Sequence, residues 1–150
     1  MGKIEELRSK ANNLNEKLNN GLYVRNIVAD NEALIISMNA DNQLYKLGEN
    51  RLGVSISSYA PYAPLTIMIK KAKGQPTDRV TLRDTGDFES SFYLDVEDTY
   101  FEITAADFKT EKLMHKYGKD IFGLNEENLR ILIWDVVYPR MIDNVKQELQ

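Results

Sequence analysis

Ile4, Leu7, Ala11, Leu14 and Leu18 follow one another at intervals of three and four residues, and this stripe constrains the chain more than any other feature. The spacing predicts a helix from about Lys3 to Leu18 with one apolar side, ended by Asn19-Asn20-Gly21. Its other side is Glu, Lys, Arg and Asn, so the stripe must be covered by the chain's own core or by a neighbouring subunit. Leu7, Leu14 and Leu18 are therefore interface candidates. A second helical stretch is predicted between Leu22 and Met38, with Asp30 or Asn31 as an internal cap before Glu32. Leu34-Ile35-Ile36 would serve equally well as a buried strand.

Further along, Gln43-Leu44-Tyr45-Lys46 and Val54-Ser55-Ile56-Ser57 flank a Gly- and Asn-containing turn, a pattern that predicts a hairpin. Tyr59-Ala60-Pro61-Tyr62-Ala63-Pro64 must be a loop, because each proline lacks an amide hydrogen and biases its predecessor away from helix. A short helix from Leu65 to Ala72, closed by Gly74, and an exposed loop from Lys73 to Asp78 are expected next. The clearest strands are Phe92 to Val96 and Tyr100 to Thr104, where apolar and polar residues alternate around a Glu97-Asp98-Thr99 turn. A helix from Thr110 to Lys116 should stop at Gly118. The last begins after Asn125, a good N-cap followed by Glu126 and Glu127, and Pro139 should kink or divide it. Helices, hairpins and helices in this order predict one α+β domain with a small antiparallel sheet and helices at both ends.

With 150 residues, 43% of them apolar, the chain can bury a single core. A formal charge of −4 without a separate Lys/Arg cluster disfavours specific nucleic-acid binding. The absence of cysteine removes disulfides, thiolate metal sites and a Cys nucleophile together. No cleaved leader is expected after Met1, and no apolar run approaches the roughly 20 residues of a spanning helix.

His115 is the only histidine, on an expected surface helix, and reads as a solvated residue. The acidic pairs Glu5/Glu6, Asp84/Asp87 and Glu126/Glu127 read as helix-start charges or solvated faces, not as acid-base pairs. Asp84-Thr85-Gly86 resembles the active-site triplet of retroviral-type aspartic proteases, with Ile121-Phe122-Gly123 as a superficial second segment. Against it, Arg83 precedes the triplet where apolar strand residues belong, and no glycine-rich flap lies between the segments. No catalytic, metal or cofactor-binding residue is assigned.

The same residues fit another pattern. Thr85, Gly86, Phe88 and Ser91 form a Thr-Gly, apolar, two-residue gap, Ser signature, in which Asp84 or Thr85 would cap a short helix and Gly86 would permit close backbone approach. Downstream, Tyr117-Gly118 and Phe122-Gly123-Leu124 lead into the capped C-terminal helix. Gln43-Leu44-Tyr45-Lys46 and Lys73-Gly74-Gln75-Pro76 precede them. In this order and spacing, Gln43 to Leu149 resembles the head-tail joining or tail-completion (virion morphogenesis) family of tailed bacteriophages, in its Bacteroidetes-phage form. Asp120 stands where many members carry an arginine.

The resemblance implies a structural virion protein, not an enzyme: a homo-oligomeric ring of about six or twelve copies in the neck or at the head-proximal end of the tail. Its neighbours would be portal, connector or tail proteins, and genomic DNA would pass through the lumen without specific binding. It implies no cofactor and no membrane, with assembly in the host cytoplasm. Residues 1–42 would be a helical segment packing on the core or a neighbour, and residues 43–150 a tail-completion-like α+β core. The alternatives are an interaction module that never enters a virion and, behind it, the aspartic protease.

Overall fold

In the computed structural model, which describes residues 2–150, the N-terminal stripe folds as its spacing dictates, into α1 (Lys3–Asn19). Gly21, left-handed at φ 72°, turns the chain into α2 (Leu22–Asp30). Asn31 interrupts the helix, its Nδ2 donating to the Ile27 carbonyl at 2.8 Å, and α3 (Glu32–Ser37) resumes. The strand alternative for Leu34–Ile36 is thus not taken.

The first expected hairpin is not formed. Instead α3 runs directly into a π-helical stretch, Met38–Leu47, ended by Gly48 at φ 65°. Only an isolated bridge, Glu49 to Ser55, remains of the pairing. The physical reason lies in burial: Ile35, Asn39, Gln43 and Leu44 are all 0% exposed, and they can share one buried face only at helical spacing. A strand would have turned alternate residues outward.

Beyond a 3-10 turn at Ile56–Ser58 and the proline loop comes α4 (Pro64–Ala72), with Pro64 in the first turn, where a missing amide hydrogen leaves nothing unpaired. α5 (Asp87–Ser90) leads into β1 (Phe92–Val96), which pairs antiparallel with β2 (Phe101–Ala105). The register sets Phe92 against Ala105, Leu94 against Ile103 and Val96 against Phe101, so one face of the ribbon is apolar. The opposite face carries Asp95 across from Glu102. α6 (Thr110–Tyr117) stops at Gly118, whose φ of 86° suits glycine.

Asn125 caps α7 (Glu126–Ile131) by accepting from the Asn128 amide at 2.8 Å. A π-helical stretch, Leu132–Val137, then leads into α8 (Tyr138–Leu149). Pro139 therefore divides the C-terminal helix through a change of helical winding next to it, which accommodates the lost i−4 hydrogen bond.

The result is an α+β domain in which one core joins residues from α2 through to the π-helical stretch Leu132–Val137, while α1 and α8 lie outside it. Val28 of α2 and Ile35 of α3 pack in the same cluster as Ile56, Phe92, Ile103, Ile121 and Leu132. Phe88, Phe92 and Phe122 meet at its centre, with ring centroids 5.0 to 5.9 Å apart and Phe88 edge-on to Phe92.

Candidate assembly surfaces and a buried ion cluster

The signature residues around α5 make local backbone and packing contacts. Gly86 itself occupies the N-cap at φ 89°, and nothing lies within 4 Å of where a Cβ would stand. The expected close backbone approach is therefore corrected: left-handed backbone is what this position requires of its residue. Thr85 Oγ1 accepts from the Asp87 amide at a long 3.4 Å, and Asp84 does not cap the helix. Phe88 enters the aromatic cluster. Ser91 ties three segments together, since its hydroxyl donates to the Phe88 carbonyl at 2.7 Å and accepts from the Asp107 amide at 3.0 Å, while its carbonyl accepts from Ala106 at 3.1 Å.

Asp84 is exposed and faces cations and amides, with Lys73 Nζ and Gln75 Nε2 each at 2.9 Å from Oδ1. These two hydrogen bonds hold its carboxyl below the usual range. The second segment of the protease-like pattern, Ile121-Phe122-Gly123, does not contact it but belongs to another network. There the Asn39 amide donates to the Ile121 carbonyl at 2.9 Å and accepts from the Gly123 amide at 3.1 Å. Gln43 bridges the Gly123 carbonyl (2.9 Å), the Asn125 amide (2.8 Å) and Asn128 Nδ2 (2.9 Å). Asn128 also reaches the Met38 carbonyl and Asn42. Buried amides thus fasten the π-helical stretch to the Phe122-Gly123-Leu124 turn. Asn39 is not singled out by the sequence reading, although an Asn four residues after Ile35 on an apolar face is the signal that finds it; nothing comparable marks Asn128.

The same turn explains Asp120. Its carboxylate accepts from Arg51 Nε at 2.7 Å and its carbonyl from the Arg51 amide at 2.8 Å. Gly123, at φ 123°, lets the Arg51 stem lie where a Cβ would come within 2.7 Å of Cδ. Tyr117 is buried, its carbonyl accepting from the Tyr59 hydroxyl at 2.8 Å, and Leu124 is half-buried against the core.

A second buried polar group is of a different kind. Glu89, 7% exposed, has no hydrogen-bond partner for either carboxylate oxygen. Around it lie Arg83, which donates to Asp41 at 2.8 Å and stacks 4.2 Å from the Tyr45 ring centroid, and buried Lys70, which donates to the Arg83 carbonyl at 3.0 Å. Burial pushes the Glu89 carboxyl above its ordinary value, partly opposed by Arg83. Leu82, immediately before Arg83, has φ 61°, the one left-handed non-glycine among the described residues, and such backbone is strained. Neither the burial of Glu89 nor this strain was legible in the sequence.

The interface candidates divide. Leu14 is half-buried, whereas Leu7 and Leu18 are 49% and 40% exposed, and Ile4 is 72% exposed. No residue of α1 is fully buried. The helix is held instead by a polar clamp to α8, in which Glu148 accepts from Lys17 at 3.0 Å, Asn13 at 2.7 Å and Tyr23 at 3.3 Å. Further large apolar side chains stand exposed on α4 (Leu65, Met68), on the turn after β2 (Phe108) and on the C-terminal helix (Trp134, Tyr138).

The exposed expanse is measurable. The accessible surface is 9594 Å², against about 7,800 Å² for a compact monomer of 17.2 kDa. His115 is exposed on α6, as its sequence context implied. Among the described residues no helix is long and apolar enough to cross a membrane. Compared with family models, with curated proteins and with solved structures, the chain matches none.

Proposed function

We propose that this chain is a ring-forming structural subunit of a tailed-phage virion, of the head-tail joining or tail-completion type. The observation that carries the reading is the surface excess of about 1,800 Å² over a compact monomer. A subunit in a ring has two neighbours, and a standard interface covers about 800 Å² per partner. The excess is of the size that two such contacts would cover, and exposed apolar side chains contribute to it. The signature residues support the same reading, because Gly86, Phe88, Ser91, Phe122 and Gly123 shape the fold around the aromatic cluster. The acidic balance suits a conduit through which DNA slides without adhering.

The test is imaging of the purified full chain by negative-stain electron microscopy, with sedimentation velocity alongside. Annular particles of uniform diameter are expected. A monomer at every concentration, alone and with candidate neck proteins, would refute the reading.

A further inference from the structure

We propose, on the basis of the ring reading, that Phe108 of one copy seats in the groove between the α1–α2 corner and the hairpin tip of the next copy. Phe108 is 88% exposed, more than any other large apolar residue described. An aromatic side chain so placed normally sits on mobile chain, yet this one is carried by a pinned turn. The Ala106 and Asp107 amides donate to the Ser91 carbonyl and hydroxyl, Asp107 Oδ1 accepts from the Lys109 amide at 2.8 Å, and the Asp107 carbonyl accepts from the Thr110 hydroxyl at 2.6 Å. A ring presented on fixed backbone loses little freedom on docking, which is what a binding anchor needs.

The receptor is a groove of about 610 Å³ lined by Leu18, Val24, Val28, Val96, Tyr100 and Phe101. Leu18, Val24 and Tyr100 are 40%, 39% and 57% exposed there, an apolar surface with room for an aromatic side chain. Charge complements shape. The groove's lip carries Glu97 and Asp98, and Arg25 pairs with Asp98 at 2.9 Å, leaving the lip one negative charge in excess. Beside the knob stands Lys109, whose Nζ lies 5.6 Å from the Phe108 ring centroid and forms no ion pair among the described residues, while the Asp107 carboxylate on the other side is turned back onto the Lys109 amide at the start of α6.

The topology then sets the mode of association. The groove is at the turn end of the ribbon, where Val96 pairs with Phe101, and Phe108 follows shortly after Ala105, which pairs with Phe92 at the other end. Five residues of strand separate the two ends by roughly 17 Å. Each copy thus offers its knob at one end and its groove at the other. Such a contact is heterologous and closes into a ring when its rotation is a whole fraction of a turn. Ser91 gains a role here, as the residue that fixes the turn presenting the knob.

The experiment uses the full-length chain with Phe108→Asp, which removes the knob, and Val24→Glu, which blocks the groove, both at exposed positions. Circular dichroism first confirms that each variant retains the parent's fold, with Phe108→Ala and Val24→Ser as milder replacements where it does not. By sedimentation velocity each variant alone is expected to be monomeric, with association weakened about 30-fold or more, the effect of losing a central aromatic anchor. An equimolar mixture is expected to give a species of two chains and nothing larger, because only the groove of the Phe108→Asp chain and the knob of the Val24→Glu chain remain intact. Phe108→Asp assembling like the parent would overturn the knob, and Val24→Glu assembling like the parent would overturn the groove, while the ring reading survived either. A mixture that stays monomeric would overturn their pairing. A parent chain that never assembles would overturn the ring itself.

Discussion

Glu89 Oε1 lies 3.9 Å from Arg83 Nε, too far for a hydrogen bond, and neither atom has another partner although both are buried. Arg83 is compensated by Asp41 and by the Tyr45 ring. Glu89 is offset only in part, by its own backbone amide, Arg83 and Lys70, so desolvation dominates and its carboxyl holds a proton above the ordinary glutamate value of 4.5. A group whose folded-state value is raised contributes stability that is complete below pH 4.5 and lost as pH rises through the folded-state value.

Glu89→Gln is therefore expected to stabilise the protein at pH 7, by on the order of 1 kcal/mol, and to give no gain at pH 4. Thermal unfolding of parent and variant at the two pH values checks this. A loss at pH 7 would mean that attraction to Arg83 outweighs the burial of the charge.

For the amide network, Gln43→Leu keeps the side chain's approximate size but removes the partners of the Gly123 carbonyl and the Asn125 amide. Each buried group left unpaired costs about 1–3 kcal/mol. Denaturant unfolding should show the sum of two such losses, with the midpoint lowered and the slope unchanged. Gln43→Glu keeps the acceptor for the Asn125 amide but is expected to be worse still, because it sets a buried charge against the Gly123 carbonyl oxygen, to which a carboxylate cannot donate.

How far the sequence reaches is visible in these same residues. The ribbon from Phe92 to Ala105 was legible because its alternation is a local, period-two signal, and the ends at Gly118 and Asn125 were legible because cap chemistry is local too. Gln43 to Lys46 reads locally as half of a hairpin, yet it lies within the π-helical stretch Met38–Leu47. What holds it helical is hydrogen bonding of Asn39 and Gln43 to residues Ile121 to Asn125, some 80 positions away, which no local pattern encodes. The signature around Gly86 was found by its residue types, but its conformational reason was wrong in one detail: a left-handed angle was needed and not close packing. Glu89 sits inside that signature and reads as one more surface carboxylate until the fold buries it.

Asp84 offers a sharp test of the protease alternative. A shared-proton pair needs a second carboxylate at hydrogen-bond distance and one bound proton, whereas Asp84 is surrounded by Lys73 and Gln75, which favour its ionised form. Incubation with casein at about pH 4 to 6, where such a pair would work, is expected to yield no cleavage. Proteolysis that disappears in Asp84→Asn would restore the alternative.

The N-terminal helix provides the last prediction. α1 has no fully buried residue, and its hold on α8 is the set of hydrogen bonds that converge on Glu148. Lys17 holds the Glu148 carboxyl below the usual range, so this clamp contributes above the ordinary carboxylate value of 4.5 and is lost as pH falls below it. The core centred on Ile35, Ile56 and Ile121 does not depend on the Leu7, Leu14 and Leu18 stripe. Replacing those three leucines with Ser or Gln is accordingly expected to preserve cooperative unfolding of the remainder and to lower association, since Leu18 lines the groove and Leu7 stands exposed. Circular dichroism and sedimentation velocity on the same samples separate the two effects. Loss of cooperative unfolding would show that α1 is part of the core's own stability, and unchanged assembly would place the subunit contacts away from both the stripe and the groove.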